Sequence, residues 1–155
     1  VPSSGLHSNG YSLVRNIIKK KKLPLKIKKE LLKPTKIYVK EIISLNKRKL
    51  VNGCANITGG GLLNNLIRVI PKNLSLNINL DKIRTTKIFK WLKKNNISDA
   101  EMLSTFNCGI GFCLIINKKN IKKVKKIFSK KYQPYQIGHV SRTVRKINTY
   151  GSLEW

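Results

Sequence analysis

The chain has 155 residues, with 33 Lys and Arg against 6 Asp and Glu, which gives a formal net charge of +27. This length allows one domain with a real hydrophobic core, so disulfides are not needed to hold the fold. The longest apolar stretch, Ile110 to Ile116, is far shorter than the roughly 20 residues of a membrane-spanning helix. We expect no membrane span and a single cytoplasmic domain over residues 1–155, cut from a longer protein.

The three cysteines, Cys54, Cys108 and Cys113, predict reduced thiols and not a disulfide frame. Their number is odd, they lack a C-x-x-C spacing, and they sit in apolar segments. A structural metal site needs clustered ligands, and only His7 and His139 are present to join them. We therefore predict no metal site within the chain.

The strong positive charge would ordinarily indicate a nucleic-acid partner. The basic residues are mostly Lys, however, and Arg, the residue best suited to bidentate phosphate and guanine contacts, is scarce. Aromatic residues are not interleaved with the Lys runs, so the stacking platforms of a single-strand binder are missing. We expect a solvated Lys-rich surface and no nucleic-acid partner. The alternative, a basic binding module, predicts that Lys19–Lys22 and Lys118–Lys131 cluster on one face.

The first half of the chain predicts three helices and one strand. In chain order, the predicted segments are a helix from Ser8 to Ile18, an exposed basic connection from Lys19 to Lys33, a helix that begins at Pro34, a strand from Leu50 to Ile57, and a helix from Leu62 to Ile70. The helices rest on apolar residues that recur at helical spacing. Between the strand and the last helix lies a run of glycines.

The second half predicts further strands mixed irregularly with helices. They are a strand from Leu74 to Leu80, helices at Thr86–Asn95 and Ser98–Phe106, a buried strand from Ile110 to Ile116, a helix from Ile121 to Phe128, and strands at Tyr135–Val140 and Thr143–Ile147. Alternating apolar and polar residues identify the first of these strands. This order predicts an α+β fold, with a single mixed β-sheet and helices packed on it.

The segment Thr58-Gly59-Gly60-Gly61 is the strongest local indication of a binding site. Glycines between a strand and a helix let backbone amides approach an anion such as a phosphate group. The segment lacks the Lys-Ser/Thr of a P-loop and the spacing of a dinucleotide fingerprint. A tight turn that only requires positive φ angles is the structural alternative.

Two other polar segments are candidates for ligand contacts. His7, Ser8 and Asn9 precede the first helix, where they offer an imidazole, a hydroxyl and an amide. Asn107 precedes Gly109 at the end of a helix, where a helix cap is the structural alternative. Six acidic residues and two histidines do not assemble into a catalytic set, so no catalytic residue is predicted and an independent hydrolase is not expected.

Taken in order, these segments resemble the carboxy-terminal domain of the aminoimidazole ribonucleotide synthetase family, also called phosphoribosylformylglycinamidine cyclo-ligase or AIR synthase. The resemblance covers nearly the whole chain. The matching blocks are His7 to Arg15, Pro34 to Val39, Ile57 to Leu63 with Asn65, Arg68, Val69 and Pro71, and Glu101-Met102 with Thr105 to Gly109 and Gly111. Formylglycinamidine ribonucleotide synthase and selenophosphate synthetase are the alternatives within the same superfamily.

The resemblance implies half of an ATP-dependent ligase of purine biosynthesis. Such an enzyme phosphorylates the formyl amide oxygen of formylglycinamidine ribonucleotide, closes the imidazole ring, and releases ADP and phosphate. The amino-terminal half, absent from this chain, would supply most contacts to ATP and Mg²⁺ and the homodimer interface. On this resemblance His7, Ser8 and Asn9 face the cleft, Thr58–Gly61 cradles a phosphate, and Asn107 contacts the substrate or supports the loop.

The chain departs from the family pattern beside the glycines. Asn56 stands where the family has a histidine, Asn64 stands where it has an acidic residue, and Ile67 replaces a proline. Because neither amide titrates, no acid–base or metal-linked role is expected of Asn56 or Asn64. This chain alone is expected to be inactive.

Overall fold

A computed structural model describes all 155 residues as seven α-helices and five β-strands, with three short 3-10 turns. The helices are α1 (Tyr11–Lys20), α2 (Leu25–Leu31), α3 (Val39–Lys47), α4 (Gly61–Leu66), α5 (Lys87–Lys93), α6 (Asp99–Thr105) and α7 (Ile121–Ile127). The strands are β1 (Gly53–Asn56), β2 (Leu74–Asn79), β3 (Phe112–Ile115), β4 (Gly138–Arg142) and β5 (Ile147–Tyr150). None of the helices combines the length and the apolar character of a membrane span.

The α+β class is confirmed, but the strands form two sheets and not the single sheet that we predicted. One is an antiparallel ladder of β1 and β3, and the other has β2 at its centre, antiparallel to β4 and parallel to β5. The free side of β3 is covered by the first residues of the chain. Val1 accepts the amides of Gly111 and Phe112 at 3.0 and 3.4 Å, and Pro2 bridges to Ile110. The ladder and the second sheet share no hydrogen-bonded strand pair.

The run Ile110–Ile116 is less buried than a central strand requires. Only Cys113 is buried within β3, and its three other residues are half-buried. The continuous apolar run was therefore misleading, because one side of β3 pairs with a strand and the other with a short terminal segment. The strand is present as predicted, but the prediction that it is buried was wrong.

The basic stretch Lys19–Lys33 contains a helix that the sequence did not predict. Helix α2 begins directly after Pro24, whose φ of −59° and ψ of 139° place it at the cap position. Proline therefore begins this helix and does not interrupt it, as its fixed φ allows. A single side chain of α2, Ile27, is buried, which explains why no apolar periodicity was visible.

The two final strands begin three or four residues later than predicted, at Gly138 and Ile147. A β-carbon built on Gly138 would lie 2.1 Å from the carbonyl oxygen of Asn77, so close pairing with β2 requires glycine there. The last strand, β5, lies at the edge of its sheet, because it pairs only with β2.

Two hydrophobic clusters hold the fold together. The larger one gathers side chains from α1, α4, α5, α6 and the central strand, including Leu62, Phe89 and Phe106, which are almost completely inaccessible to solvent. The smaller one lies between α3 and α7, where Leu45 and Val124 are buried. The larger cluster fixes α4, and with it the glycine segment that leads into this helix.

Candidate functional site

The glycine loop, defined here as Thr58 to Gly61, connects β1 to α4. Gly60 and Gly61 have φ angles of 91° and 65°, a region that side chains with a β-carbon rarely adopt. A β-carbon built on Gly61 would also lie 2.0 Å from the carbonyl oxygen of Leu103 in α6. Gly59 carries neither constraint, since its nearest neighbour would lie 3.9 Å away. The fold therefore explains Gly60 and Gly61 but not Gly59.

The buried side chain of Asn65, in α4, holds the glycine loop in place. Its Nδ2 donates to the carbonyl oxygens of Thr58, Gly59 and Gly61 at 3.2, 3.2 and 2.6 Å, and its Oδ1 accepts from Thr58 Oγ1 at 3.3 Å. In the sequence, Asn65 belongs to one of the blocks that resemble the family, but no role was predicted for it. A signal was present, because asparagine is disfavoured inside a helix unless its side chain has a local partner.

With its carbonyl oxygens turned to Asn65, the loop leaves amide groups free. The amide of Gly61 donates to the carbonyl oxygen of Thr58 at 3.1 Å, whereas those of Thr58, Gly59 and Gly60 donate to no acceptor in the protein. Thr58 and Gly59 are exposed. Adjacent free amides of this kind are the donors that bind anions in glycine-rich loops.

Asn9 is the residue of the predicted trio that reaches the glycine loop. A β-carbon built on Gly59 would lie 3.9 Å from Asn9 Oδ1. The other atom of the amide, Nδ2, is buried and has no hydrogen-bond partner. A buried donor without a partner costs about 1–3 kcal/mol, so this atom is a place where a ligand acceptor would be favoured. Ser8, its neighbour, is exposed.

His7 lies in the interior, only 8% exposed. Its Nε2 accepts the amide of Ser4 at 3.1 Å, and its ring centroid lies 6.1 Å from that of Tyr38. Burial lowers the pKa of His7, because the charged imidazolium is poorly solvated there. This position supports the amino-terminal segment, and a contact between His7 and a ligand stays a prediction.

Asn107 is completely buried and all its polar atoms are used. Its Nδ2 donates to the carbonyl oxygens of Gly5 and Leu6 at 2.9 and 3.1 Å, and its Oδ1 accepts the amide of Gly109 at 2.9 Å. The two predicted roles were substrate contact and loop support. The geometry favours support, because no polar atom of this side chain is left for a ligand.

The two departures from the family pattern take different positions. Asn56 ends β1 and is exposed. Asn64 flanks the glycine loop, since a β-carbon built on Gly60 would lie 3.0 Å from Asn64 Cβ and 3.4 Å from its Nδ2. The side chains beside the loop, Asn9, Asn64 and Asn65, are therefore all neutral amides.

Titratable groups do not assemble into a catalytic or metal centre. No group of three or more His, Cys, Asp or Glu side chains is placed to hold a metal ion. Burial raises the pKa of Cys108 to about 12 and that of Cys113 to about 11, so both remain thiols and are poor nucleophiles. An anion site built from neutral donors is the chemistry that this surface offers.

The two basic runs belong to different parts of the fold. Lys19–Lys22 forms the end of α1, which packs into the larger cluster, and the residues just after it, whereas Lys118–Lys131 surrounds α7 in the smaller cluster. No single element carries both. A cavity of about 480 Å³ lies between the sheets and is lined mainly by apolar side chains, including residues of β2, β3, β4 and α7. It contains none of the predicted site residues.

Comparison with known proteins gives one consistent family. The family model described as AIR synthase related protein, C-terminal domain, matches residues 1–148. The phosphoribosylformylglycinamidine cyclo-ligases of Fusobacterium nucleatum and Enterococcus faecalis are 42% and 45% identical to the chain, over 92% and 86% of its length. That of Alkaliphilus oremlandii is 39% identical over 95% of the chain.

These matches cover 45%, 42% and 47% of the three relatives. The chain thus spans less than half the length of the curated relatives that it matches. The resemblance inferred from the sequence blocks is confirmed at the level of the family. The chain belongs to the AIR synthase related family, within the region described by its carboxy-terminal domain.

Proposed function

We propose that this chain is the carboxy-terminal half of a cytoplasmic, ATP-dependent cyclo-ligase that converts formylglycinamidine ribonucleotide to aminoimidazole ribonucleotide in purine biosynthesis. The relatives that it resembles carry the corresponding name. Within this half, the glycine loop binds a phosphate group of the ribonucleotide or of ATP. The observation that carries this assignment is the set of three free amides at Thr58, Gly59 and Gly60, beside the unpartnered Nδ2 of Asn9.

The shape of the loop supports a phosphate more than any other ligand. Asn65 draws three carbonyl oxygens away from the solvent side, so the surface that remains offers donors and few acceptors. Gly59 is exposed, and a β-carbon there would meet only Asn9 Oδ1, at 3.9 Å, which lets a tetrahedral anion approach the backbone closely. Neutral donors also hold a phosphate without forming a buried ion pair.

ATP, when bound, supplies the phosphoryl group that activates the formyl amide oxygen of the substrate. This chain contributes by binding a phosphate group and thereby holding the ligand that carries it in a fixed position. Such binding matters because phosphoryl transfer depends mainly on positioning and charge stabilisation. The residues present do not fit Mg²⁺, which prefers carboxylate oxygens, because the glycine loop is flanked by amides and no carboxylate cluster exists. We assign Mg²⁺ to the amino-terminal half.

The amino-terminal half and a homodimer of the complete enzyme belong to the same proposal. The test joins this chain through a flexible linker to the portion of the Fusobacterium nucleatum relative that it does not match. We expect ATP-dependent formation of aminoimidazole ribonucleotide with release of ADP, and no turnover by the chain alone. Absence of turnover from a folded fusion protein would contradict the proposal.

The basic nucleic-acid module remains the rival. It predicts tight RNA binding by the chain alone, with an affinity that falls steeply as salt rises. Our proposal predicts only weak binding at physiological salt, because Arg and interleaved aromatics are lacking. Fluorescence anisotropy with a labelled single-stranded RNA at several salt concentrations separates the two.

A further inference from the structure

Exposed hydrophobic side chains are concentrated in one part of the chain. Five of the eight large hydrophobic residues that are exposed fall between residues 25 and 43: Leu25, Leu32, Ile37, Val39 and Ile43. Three of them form what we call the α3 apolar patch, namely Ile37, Val39 and Ile43. Contiguous exposed apolar surface of this kind marks a contact with another protein surface more often than isolated residues do.

Two of the three side chains of the α3 apolar patch share a helix face, and the third lies just ahead of the helix. Ile37 and Val39 flank the buried Tyr38 and are themselves exposed. Val39 and Ile43 are four residues apart in α3 and therefore lie on the same helix face. Their exposed fractions are 73%, 58% and 49%, whereas Leu45 on the opposite face is fully buried.

The patch lies beside the first residues of the chain. Ser4 Oγ donates to the carbonyl oxygen of Pro34 at 2.8 Å and accepts the amide of Lys36 at 3.0 Å. Tyr38 Oη donates to the carbonyl oxygen of Pro2 at 2.7 Å. A polypeptide joined ahead of residue 1 would thus begin close to the α3 apolar patch.

We propose that the α3 apolar patch is the docking surface for the amino-terminal half of the enzyme, a deduction that rests on the proposed function. The curated relatives are more than twice as long as the region matched. The matching family model describes a C-terminal domain and begins at residue 1. The unmatched polypeptide therefore lies largely ahead of this chain, on the side where the patch is found.

Charge predicts the chemistry of the partner surface. Lys47 continues the line of Val39 and Ile43 along α3, Lys40 is exposed next to Val39, and the chain as a whole carries +27. The complementary surface should therefore be apolar at its centre and acidic at its rim, as in interfaces with a dry core and a polar edge. A second copy of this chain fits poorly, because it would bring two basic rims together.

The test measures binding between this chain and a separately produced amino-terminal half of the Fusobacterium nucleatum relative, by isothermal titration calorimetry. The variant carries Ile37→Gln and Ile43→Gln, and the control carries Val144→Gln, which alters a side chain 78% exposed between β4 and β5. We expect the double variant to raise Kd by about tenfold or more and the control to leave it within about twofold. Circular dichroism verifies that all three proteins are folded.

Three results would overturn the inference. They are no binding between the two folded halves, an equal Kd for the double variant and the unmodified chain, and self-association of the unmodified chain that the double variant abolishes. Failure here is distinguishable from failure of the proposed function. In the fused protein the linker raises the effective concentration of the two halves to about the millimolar range, so its turnover with Ile37→Gln and Ile43→Gln in place tolerates a tenfold loss of affinity and reports mainly on the function.

Discussion

Two asparagines from the predicted site occupy opposite situations in the structure. Asn107 is fully buried and its amide satisfies Gly5, Leu6 and Gly109. Asn9 lies beside Gly59, and its buried Nδ2 has no partner in the protein. The sequence offers the same residue type in both places. The difference shows that polar residues predicted for the same site can have two roles. Some stabilise the fold through hydrogen bonds within the protein, and others keep a donor that is available to a ligand.

The largest expected effect comes from replacing Asn107 with alanine. This change leaves two carbonyl oxygens and one amide without partners in the interior, and each unsatisfied group costs about 1–3 kcal/mol. We expect the free energy of unfolding to fall by about 3 kcal/mol or more, a large share of the total stability of a small domain. Urea denaturation followed by circular dichroism measures it. A decrease of less than about 1 kcal/mol in the free energy of unfolding would mean that water can replace the hydrogen bonds of the Asn107 side chain.

Gly61→Ala is expected to cause the second largest loss of stability. The new methyl group would meet the carbonyl oxygen of Leu103 at 2.0 Å, at a backbone φ of 65°. Overpacking and the left-handed conformation together cost about 2–4 kcal/mol. The same denaturation experiment gives the value, and Gly53→Ala is the matched control, because its methyl group would lie 3.5 Å from Ile115 Cδ1.

His7 is expected to make the stability of the protein depend on pH, and this effect is smaller. Burial lowers its pKa in the folded protein, so the unfolded chain takes up a proton first as pH falls. Stability is therefore full above the unfolded pKa of about 6.5 and declines as pH falls toward the folded value, by about 1.4 kcal/mol for each unit of lowering. Urea titrations between pH 7.5 and 5 with about half-unit steps resolve this slope.

The matched variant His7→Gln, which retains an acceptor for the amide of Ser4, should remove that slope. His139→Gln should retain it, since His139 is exposed on β4. An identical slope in all three proteins would show that His7 is not the titrating group.

Asn9→Ala has the smallest expected effect on stability and sharpens the comparison with Asn107 most. Because Nδ2 is already unpaired, its removal should leave stability unchanged or raise it by up to about 1 kcal/mol. Phosphate affinity should fall at the same time. A destabilisation as large as that of Asn107→Ala would contradict the division between the two residues.

Local patterns in the sequence were enough for several elements of the fold. The alternation from Leu74 to Leu80 predicted β2 almost to the residue, and Ser98, whose side chain accepts the amide of Glu101, predicted the start of α6. Both signals depend only on neighbouring residues, so no knowledge of the rest of the fold was needed.

What could not be predicted depends on contacts between distant parts of the chain. Val1 and Pro2 cover one side of β3, an arrangement that joins residues more than a hundred positions apart. The glycine loop was located from its sequence, but neither its free amides nor the hydrogen bonds from Asn65 to its carbonyl oxygens could be read from the sequence. Likewise, only the structure separates Asn9 from Asn107.

The central claim, that the glycine loop is the phosphate site, is tested most directly by titrating the ¹⁵N-labelled chain with inorganic phosphate at constant ionic strength. Gly59→Ala is compared with Gly53→Ala, since both methyl groups fit the fold and only the first stands before the free amides. We predict saturable shifts of the Thr58, Gly59 and Gly60 amides, retained with Gly53→Ala and weakened about tenfold with Gly59→Ala. Shifts confined to the Lys-rich helices, or equal affinity in both variants, would contradict the claim.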